Sequence, residues 1–336
     1  MNIQLLKLKR AAILLAGISA ILVPTMAHAV WPIIKLGDGQ GFATGINDSG
    51  QVIGSISSSF SDISFITGTN GMGMTDLGVL DSSLGNEPSD INTFGQVVGF
   101  SVYRNSFDIH TTVMRAFITE PNGVGMTDMG TLGGSGSTAN AINDSGQVAG
   151  VTNTADNRDH AFITDSNGIG MTDLGTLGGI QSYANDINDS GQVVGWAGTA
   201  NNETHAFITG SDGVGMTDLG TLGGNYSQAY ANNDFGEVVG MSTTADGDVH
   251  AFIFSHGVMT DLSLLAPVVA TGWSSLNVFD INNNGQIVGY GRDSPHSGPH
   301  PFLLLPIPEP ETYTMLLAGL GLLGIVVRRR KQMRCS

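Results

Sequence analysis

The sequence predicts an all-β fold in which six copies of one unit form a six-bladed β-propeller, and three recurring phrases carry this prediction. The phrase Ile187–Gly195 (Ile-Asn-Asp-Ser-Gly-Gln-Val-Val-Gly) occurs in six related versions, and so does His205–Thr209 (His-Ala-Phe-Ile-Thr). A third phrase, Met216–Gly220 (Met-Thr-Asp-Leu-Gly), follows five of the six versions of the second. A fixed period of about 45 residues is typical of repeat architectures, in which each unit is completed by its neighbours.

We number the repeats 1 to 6 by the first glycine of the first phrase. These glycines are Gly50, Gly95, Gly146, Gly191, Gly236 and Gly285. The intervals are 45 residues except for two longer ones, after repeats 2 and 5. Insertions are therefore expected at Tyr103–Thr112 and Leu265–Ser275, and these two segments are the candidate binding loops.

Each repeat predicts four short strands. Asn-Asp-Ser-Gly between two apolar runs is a turn signal, because Asx side chains bond the backbone two residues on and glycine accepts positive φ. The segment before the turn, such as Tyr183–Ile187, supplies one strand, and Gln-Val-Val-Gly and Ala-Phe-Ile-Thr supply the next two. Met-Thr-Asp-Leu-Gly supplies the fourth. Four strands in about 45 residues match one propeller blade.

The two ends of the repeat region carry complementary parts of one repeat. Repeat 6 stops at His300–Leu305 without its fourth strand, and Trp31–Gly37 resembles that strand. We therefore predict that this N-terminal strand completes blade 6 and closes the ring over residues 30–307. An open β-solenoid is the alternative, although it would not need complementary ends.

The N-terminus resembles a secretory signal peptide over residues 1–29. A basic start precedes the apolar run Ala11–Val23, and Ala27-His28-Ala29 places cleavage between Ala29 and Val30. An uncleaved anchor helix is the alternative, but 13 apolar residues are short for a hydrocarbon core of about 30 Å.

The C-terminal residues 308–336 combine three features. Pro308-Glu309-Pro310 is followed by the apolar stretch Tyr313–Val327, a predicted short transmembrane helix, and by the basic residues Arg328, Arg329 and Arg330. This segment resembles a PEP-CTERM sorting signal. The resemblance implies export from a Gram-negative bacterium and processing by an exosortase, a membrane enzyme that cleaves near the motif. An ordinary tail anchor is the alternative, and the basic residues indicate the same topology in both cases.

The repeats themselves resemble the HAF repeats of extracellular proteins. The His-Ala-Phe triplet that gives those repeats their name occurs in repeats 3, 4 and 5, at residues 160–162, 205–207 and 250–252. Repeats 1, 2 and 6 depart from it. The resemblance implies an extracellular location and no assigned activity.

Charge excludes one class of partner. Between residues 30 and 307 the chain has 27 acidic and five basic side chains, a formal charge of −22. A nucleic acid is therefore not an expected partner. The single cysteine, Cys335, excludes an intrachain disulfide.

Few residues point to chemistry. The repeated histidines and aspartates occupy the same position of successive repeats, which favours structural hydrogen bonds over a metal site. Asp246 and Asp248, in the sequence Asp-Gly-Asp, are the candidate Ca²⁺ ligands, although they do not complete a calcium-binding loop. No catalytic motif is present, so we expect no catalytic residues and no other cofactor.

These observations together predict an exported, non-enzymatic binding or structural component of the cell envelope or exopolysaccharide matrix. The expected partners are the Sec machinery and an exosortase during export, and exopolysaccharide or an envelope protein afterwards. The expected location is the cell surface, outer envelope or matrix, after transient anchoring in the inner membrane. A secreted glycan lyase or hydrolase and a calcium-stiffened scaffold are the alternatives.

Overall fold

The computed structural model of the chain describes residues 35–36, 40–57, 62–104 and 112–306. The chain divides into two compact units, Met1–Lys35 and Leu36–Ser336, and every element below lies in the second. The described residues are predominantly β-strand with few helices, as the sequence predicts.

The strands follow the repeats. Repeat 1 contains β1 (Gln40–Ile46), β2 (Val52–Ser57), β3 (Asp62–Ile66) and β4 (Thr75–Asp76). Repeat 2 contains β5 (Gly85–Ile91), β6 (Val97–Arg104), β7 (Thr112–Glu120) and β8 (Val124–Asp128). Repeat 3 contains β9 (Gly133–Ile142), β10 (Val148–Thr154), β11 (Asp159–Ile163) and β12 (Thr172–Gly175). Repeat 4 contains β13 (Gly178–Ile187), β14 (Val193–Thr199), β15 (Thr204–Thr209) and β16 (Met216–Asp218). Repeat 5 contains β17 (Gly223–Asn232), β18 (Val238–Thr244), β19 (Val249–Ser255) and β20 (Val258–Asp261). Repeat 6 contains β21 (Ser275–Ile281), β22 (Ile287–Arg292) and β23 (His300–Leu304).

Among the described residues, the helical segments are short. One α-helix, α1 (Ala266–Val269), lies in the insertion between repeats 5 and 6. The 3₁₀ turns are Thr69–Gly71, Pro121–Gly123, Ser166–Gly168, Ser211–Gly213 and Leu262–Leu264. The other expected insertion lies partly outside the described residues, since β6 extends to Arg104 and β7 begins at Thr112.

Within each repeat, consecutive strands pair antiparallel, so each repeat is a meander. Repeats 4 and 5 are joined through a single parallel pair, Thr204 with Tyr226. The glycine that ends the first phrase is required by close packing between the first two strands. A β-carbon on Gly195 would lie 1.9 Å from the carbonyl oxygen of Tyr183, and the equivalent glycines of the other repeats face the same contact.

The hydrophobic core lies between repeats rather than within them. Five clusters of buried apolar residues are found among the described residues, and each joins two consecutive repeats. The phenylalanine of the second phrase is buried in repeats 1 to 5, as Phe65, Phe117, Phe162, Phe207 and Phe252. Because burial of apolar surface is the main stabilising term in folding, a single repeat gains stability only from its neighbours.

The repeated histidines make hydrogen bonds within their own repeat, as predicted. His160 Nδ1 lies 2.8 Å from Asp173 Oδ2, and His205 Nδ1 lies 2.8 Å from Asp218 Oδ2, so the third strand is tied to the fourth. In repeat 2, where arginine replaces histidine, Arg115 forms an ion pair with Asp128 at 3.3 Å. The histidines therefore serve the fold.

Buried serines connect one repeat to the next. Ser182, on β13, is fully buried. It accepts a hydrogen bond from the backbone nitrogen of Ala161 at 2.9 Å and donates one to the carbonyl oxygen of Gly175 at 2.5 Å. Ser137 and Ser227 make the same two bonds at other repeat interfaces.

Replacing Ser182 with alanine should therefore destabilise the protein. The substitution leaves one buried N–H and one carbonyl oxygen without their partner, at a cost of about 1–3 kcal/mol. Urea unfolding of the wild type, Ser182→Ala and the exposed-turn control Ser190→Ala measures this cost. Equal stability of the two variants would contradict this role for Ser182.

Candidate functional site

A polar cavity of about 370 Å³ lies where the turns of all six repeats meet, and we call it the axial cavity. Every repeat contributes the residues at the end of its first strand and the start of the following turn. In repeat 4 these are Asp186, Ile187, Asn188 and Asp189. Because equivalent residues of six repeats line one cavity, the repeats are arranged around a common axis.

The turn asparagine of each of repeats 1 to 5 links its repeat to the next one. Asn188 Oδ1 accepts hydrogen bonds from the backbone nitrogens of Ser190 and Gln192. Its Nδ2 donates to Gln192 Oε1 and, at 2.8 Å, to the carbonyl oxygen of Asn233 in repeat 5. This uses all four hydrogen-bonding positions of the amide. The same link to the next repeat is made by Asn47, Asn92, Asn143 and Asn233.

A second series of bonds surrounds the mouth of the cavity. The backbone nitrogen of Asp144 donates to Asp189 Oδ1, and that of Asp189 donates to Asp234 Oδ1, both at 3.0 Å. These carboxylates give the mouth a negative potential, and none of the described residues that line the cavity is a lysine, arginine or histidine.

At the position before the turn phrase, aspartates alternate with small residues, and two of these aspartates, Asp90 and Asp186, line the cavity. Repeats 2, 4 and 6 place Asp90, Asp186 and Asp280 before the isoleucine of the turn phrase, where repeats 1, 3 and 5 have Gly45, Ala141 and Ala231.

The alternation has a hydrogen-bonding reason. Asp186 Oδ1 accepts from the nitrogen of Ile187 in its own repeat, and Oδ2 accepts from the nitrogen of Asn232 in the next. Asp90 bridges Ile91 and Ile142 in the same way. One carboxylate therefore accepts backbone hydrogen bonds from two repeats, and the next repeat has a small residue at the equivalent position.

The cavity changes the acidity of these groups. Burial raises the pKa of Asp186 from 3.8 to about 7, against the lowering effect of its two backbone hydrogen bonds, and nearby Asp90 raises it further. Burial likewise raises the pKa of Asp90 to about 6 and raises the pKa of Asp280. Asp280 also lies near enough to raise the pKa of both Asp90 and Asp186, so ionisation of these carboxylates is costly.

The residues proposed from the sequence lie elsewhere or outside the described part. Asp246 and Asp248 occupy the exposed turn between β18 and β19, and within the described ranges no group of three potential metal ligands occurs. Calcium binding there stays a prediction. The cleavage site Ala29–Val30, the motif Pro308–Pro310 and the Arg328–Arg330 cluster lie outside the described residues.

Sequence reasoning missed the three cavity aspartates. The signal was present, because aligning the six repeats shows aspartate only in every second one. A single repeat does not show it, because the residue before the turn phrase has no fixed type.

Comparisons with known proteins support the sorting signal and the fold class. Residues 306–331 match the PEP-CTERM protein-sorting motif, so the C-terminus is an exosortase sorting signal, which indicates export and a membrane-associated sorting step. Residues 83–210 match a protein family of unknown function, DUF3466, in place of the HAF repeats that the sequence resembles. No curated protein matches the chain.

Among solved structures, the chain is similar to the β-propeller domain of the Trilobed protease from Pyrococcus furiosus, described as having an open velcro topology. The TM-score is 0.50 at 8% identity, covering 79% of this chain and 84% of that one. This likeness shows a propeller-like fold alone.

Two further matches are more distant. The putative TolB from Agrobacterium tumefaciens matches with a TM-score of 0.46 at 13% identity, covering 67% of this chain and 80% of that one. XC5397 from Xanthomonas campestris, described as a gluconolactonase, matches with a TM-score of 0.40 at 12% identity, covering 81% of this chain and 88% of that one.

Within the described ranges, the structure contains no helix with the length and hydropathy of a membrane span. The predicted transmembrane helix 313–327 lies outside those ranges.

Asp186 gives a direct test of the axial cavity. Its raised pKa means that the folded protein keeps a proton that the unfolded chain loses. Its contribution to stability is therefore complete below about pH 4 and is lost as the pH rises through about 7. We expect the free energy of unfolding of the wild type, minus that of Asp186→Asn, to fall by on the order of 3 kcal/mol between pH 4 and pH 8.

Urea unfolding of both proteins at several pH values measures this difference, and the subtraction removes the contribution of the other carboxylates. A difference that rises with pH would contradict the burial of this carboxylate.

Proposed function

We propose that the protein is a closed six-bladed β-propeller that acts without catalysis as a binding or structural component of the envelope or exopolysaccharide matrix, where exosortase sorting delivers it. The observation that carries this proposal is the pairing of the sorting signal with six repeats arranged around one axis. Its parts rest on different contacts of the molecule.

Closure of the ring is supported by apolar side chains at the two ends of the array that occupy interface positions but are exposed. Between repeats 1 and 2, Ile53 and Ile66 pack against Ile91 in one buried cluster. The equivalents at the ends of the array are Val288 and Leu303 of repeat 6 and Ile46 of repeat 1. These are 41%, 56% and 69% exposed, whereas Ile91 is 6% exposed. Docking repeat 6 against repeat 1 would bury the same set of side chains a sixth time.

The missing strand of repeat 6 is supported by Leu36. The leucine of a fourth strand contacts the 3₁₀ turn of the following repeat, as Leu77 Cδ2 does beside Gly123. Leu36 Cδ2 lies in the corresponding place beside Gly71, 3.6 Å from where a β-carbon would stand. Leu36 thus has the position of the leucine from a repeat that precedes repeat 1. The rest of Trp31–Gly37 lies outside the described residues apart from Lys35, and we assign it as the fourth strand of blade 6.

A non-catalytic role is supported by what the acidic residues already do. Cavity carboxylates with raised pKa values are typical of glycosidase general acids. In Asp90 and Asp186, however, both oxygens accept backbone hydrogen bonds that join repeats. The fourth-strand aspartates of repeats 2, 3 and 4 pair with the arginine or histidine side chain of their own repeat. These hydrogen bonds give the acidic groups a structural role, which supports a non-catalytic function for the protein.

The proposal predicts saturable binding to the producing bacterium's own exopolysaccharide. The full chain, purified from that bacterium, would be titrated with the polymer by calorimetry, once in Ca²⁺ and once in EDTA, with heat-unfolded protein as the control. Loss of binding in EDTA would assign a role to calcium.

The same samples would then be assayed for new reducing ends and unsaturated sugars. No binding in either buffer would contradict the matrix-binding role. Polymer cleavage would contradict the non-catalytic one and favour the lyase or hydrolase alternative.

A further inference from the structure

A second cavity, of about 270 Å³, lies between repeats 2, 3 and 4, and we call it the Tyr183 groove. It is lined by Asn153 and Asp159, which flank the β10–β11 turn, and by Ser135, Thr138 and Tyr183. Because strands β9 and β10 are antiparallel, this turn lies at the opposite end of the strands from the axial cavity. The groove is therefore a separate site.

The polar groups of the groove form one hydrogen-bonded network around Asp159. Asp159 Oδ1 accepts a bond from Asn153 Nδ2 at 2.5 Å, and Asp159 Oδ2 accepts one from the hydroxyl of Tyr183. Asn153 Oδ1 in turn accepts from Ser135 Oγ at 3.2 Å. Each carboxylate oxygen has a further lone pair, so Asp159 can accept two more bonds from hydroxyl groups of a ligand.

The aromatic part of the groove is rigid. The rings of Tyr183 and Trp196 stack with centroids 4.3 Å apart and planes 14° apart. Burial and the hydrogen bond to Asp159 raise the pKa of Tyr183 to about 12, so its hydroxyl remains a donor at neutral pH. An aromatic side chain that is already fixed loses little conformational entropy when a ligand packs against it.

The groove departs from the repeat, and this sets it apart from the structural features. The Tyr183–Trp196 pair is replaced by Thr138–Val151 in repeat 3, Gln228–Met241 in repeat 5 and Asn277–Tyr290 in repeat 6. Asp159 has an acidic equivalent only in repeat 1, Asp62, and there Glu87 stands in the position of Tyr183, so the aspartate–tyrosine pair occurs once. Positions that the fold requires recur in every repeat, as the turn asparagines do. A cluster of residues found once has no such structural requirement.

The chemistry of the groove defines its ligand. Aromatic surface beside a few placed hydrogen-bonding groups is typical of small-molecule sites, and the volume is near the lower end of such sites. The acceptors of Asp159 suit hydroxyl donors, while the formal charge of −22 on residues 30–307 disfavours polyanions. A neutral sugar offers hydroxyl donors together with apolar C–H faces.

We propose that the Tyr183 groove binds a short neutral segment of a glycan, with Asp159 and Asn153 bonding its hydroxyl groups and Tyr183 packing against a sugar ring. This inference rests on the proposed matrix-binding function and assigns that function to one site.

The test uses the full chain and four probes of defined chemistry: cellohexaose, maltohexaose, mannohexaose and an anionic alginate hexasaccharide. We expect calorimetry to detect binding of at least one neutral probe and none of the alginate. Asp159→Asn, which exchanges one carboxylate oxygen for a donor, and Tyr183→Phe, which removes the hydroxyl that holds Asp159 in position, should each weaken that binding about tenfold. Thr204→Ala and Gln228→Ala, at the equivalent positions of other repeats, are the matched controls and should bind as the wild type does.

Thermal unfolding of every variant separates loss of the site from loss of the fold, and Tyr183→Phe keeps the ring stack with Trp196. Wild-type affinity in both groove variants would overturn the groove while leaving matrix binding intact. Binding of the chain to its own exopolysaccharide but to none of the neutral probes would also overturn the inference alone. Failure to bind any polymer would overturn the proposed function as well. Alginate binding that Asp159→Asn removes would overturn the choice of a neutral ligand.

Discussion

The hydrogen bond from the turn asparagine of repeats 1 to 5 to the carbonyl oxygen of the next repeat determines how the repeats are arranged. Asn47, Asn92, Asn143, Asn188 and Asn233 each make it, at 2.8–3.2 Å. Because the same side chain also accepts from two backbone nitrogens of its own turn, turn geometry and repeat packing are set together. An aspartate or a leucine in its place would lose the donor that reaches the neighbouring repeat. The axial cavity exists because these turns are held side by side around one axis.

This constraint explains where the chain tolerates variation. The longer intervals after repeats 2 and 5 add residues far from the turns, between β6 and β7 and around α1. The pairs Asn92–Asn143 and Asn233–Asn282 bond as the 45-residue pairs do, although an insertion separates them. The cavity aspartates follow the same logic, since one carboxylate satisfies backbone nitrogens of two repeats and is needed only in alternate repeats.

The phrases of the sequence predict the strands well because each strand is short, apolar and bounded by a turn signal. Strand β15, for example, begins one residue before the expected His-Ala-Phe-Ile-Thr segment and ends with it, and β14 begins one residue into Gln-Val-Val-Gly and continues four residues beyond it. The function of the repeated histidines as hydrogen-bonding partners of the fold was also predictable, because equivalent positions on successive repeats diverge. Aligning the repeats shows the alternating aspartates but not where they meet, and the Tyr183 groove was not predictable, since both sites depend on side chains of different repeats meeting in space. Sequence periodicity shows what recurs, whereas the groove depends on the combination of Asp159 with Tyr183 and Trp196, which occurs once.

The account depends most on closure of the ring between repeats 6 and 1. In the repeats, Asp90 and Asp186 reach the backbone nitrogen of the residue before the next turn asparagine, so in a closed ring Asp280 must reach the nitrogen of Ile46. Native-state hydrogen exchange of the Ile46 amide measures this directly. The account predicts protection of the Ile46 amide close to that of the Ile142 and Asn232 amides, which donate the equivalent hydrogen bonds in their repeats. Exchange of Ile46 at the rate of an exposed, unbonded amide, with Ile142 and Asn232 protected, would contradict a closed six-bladed ring.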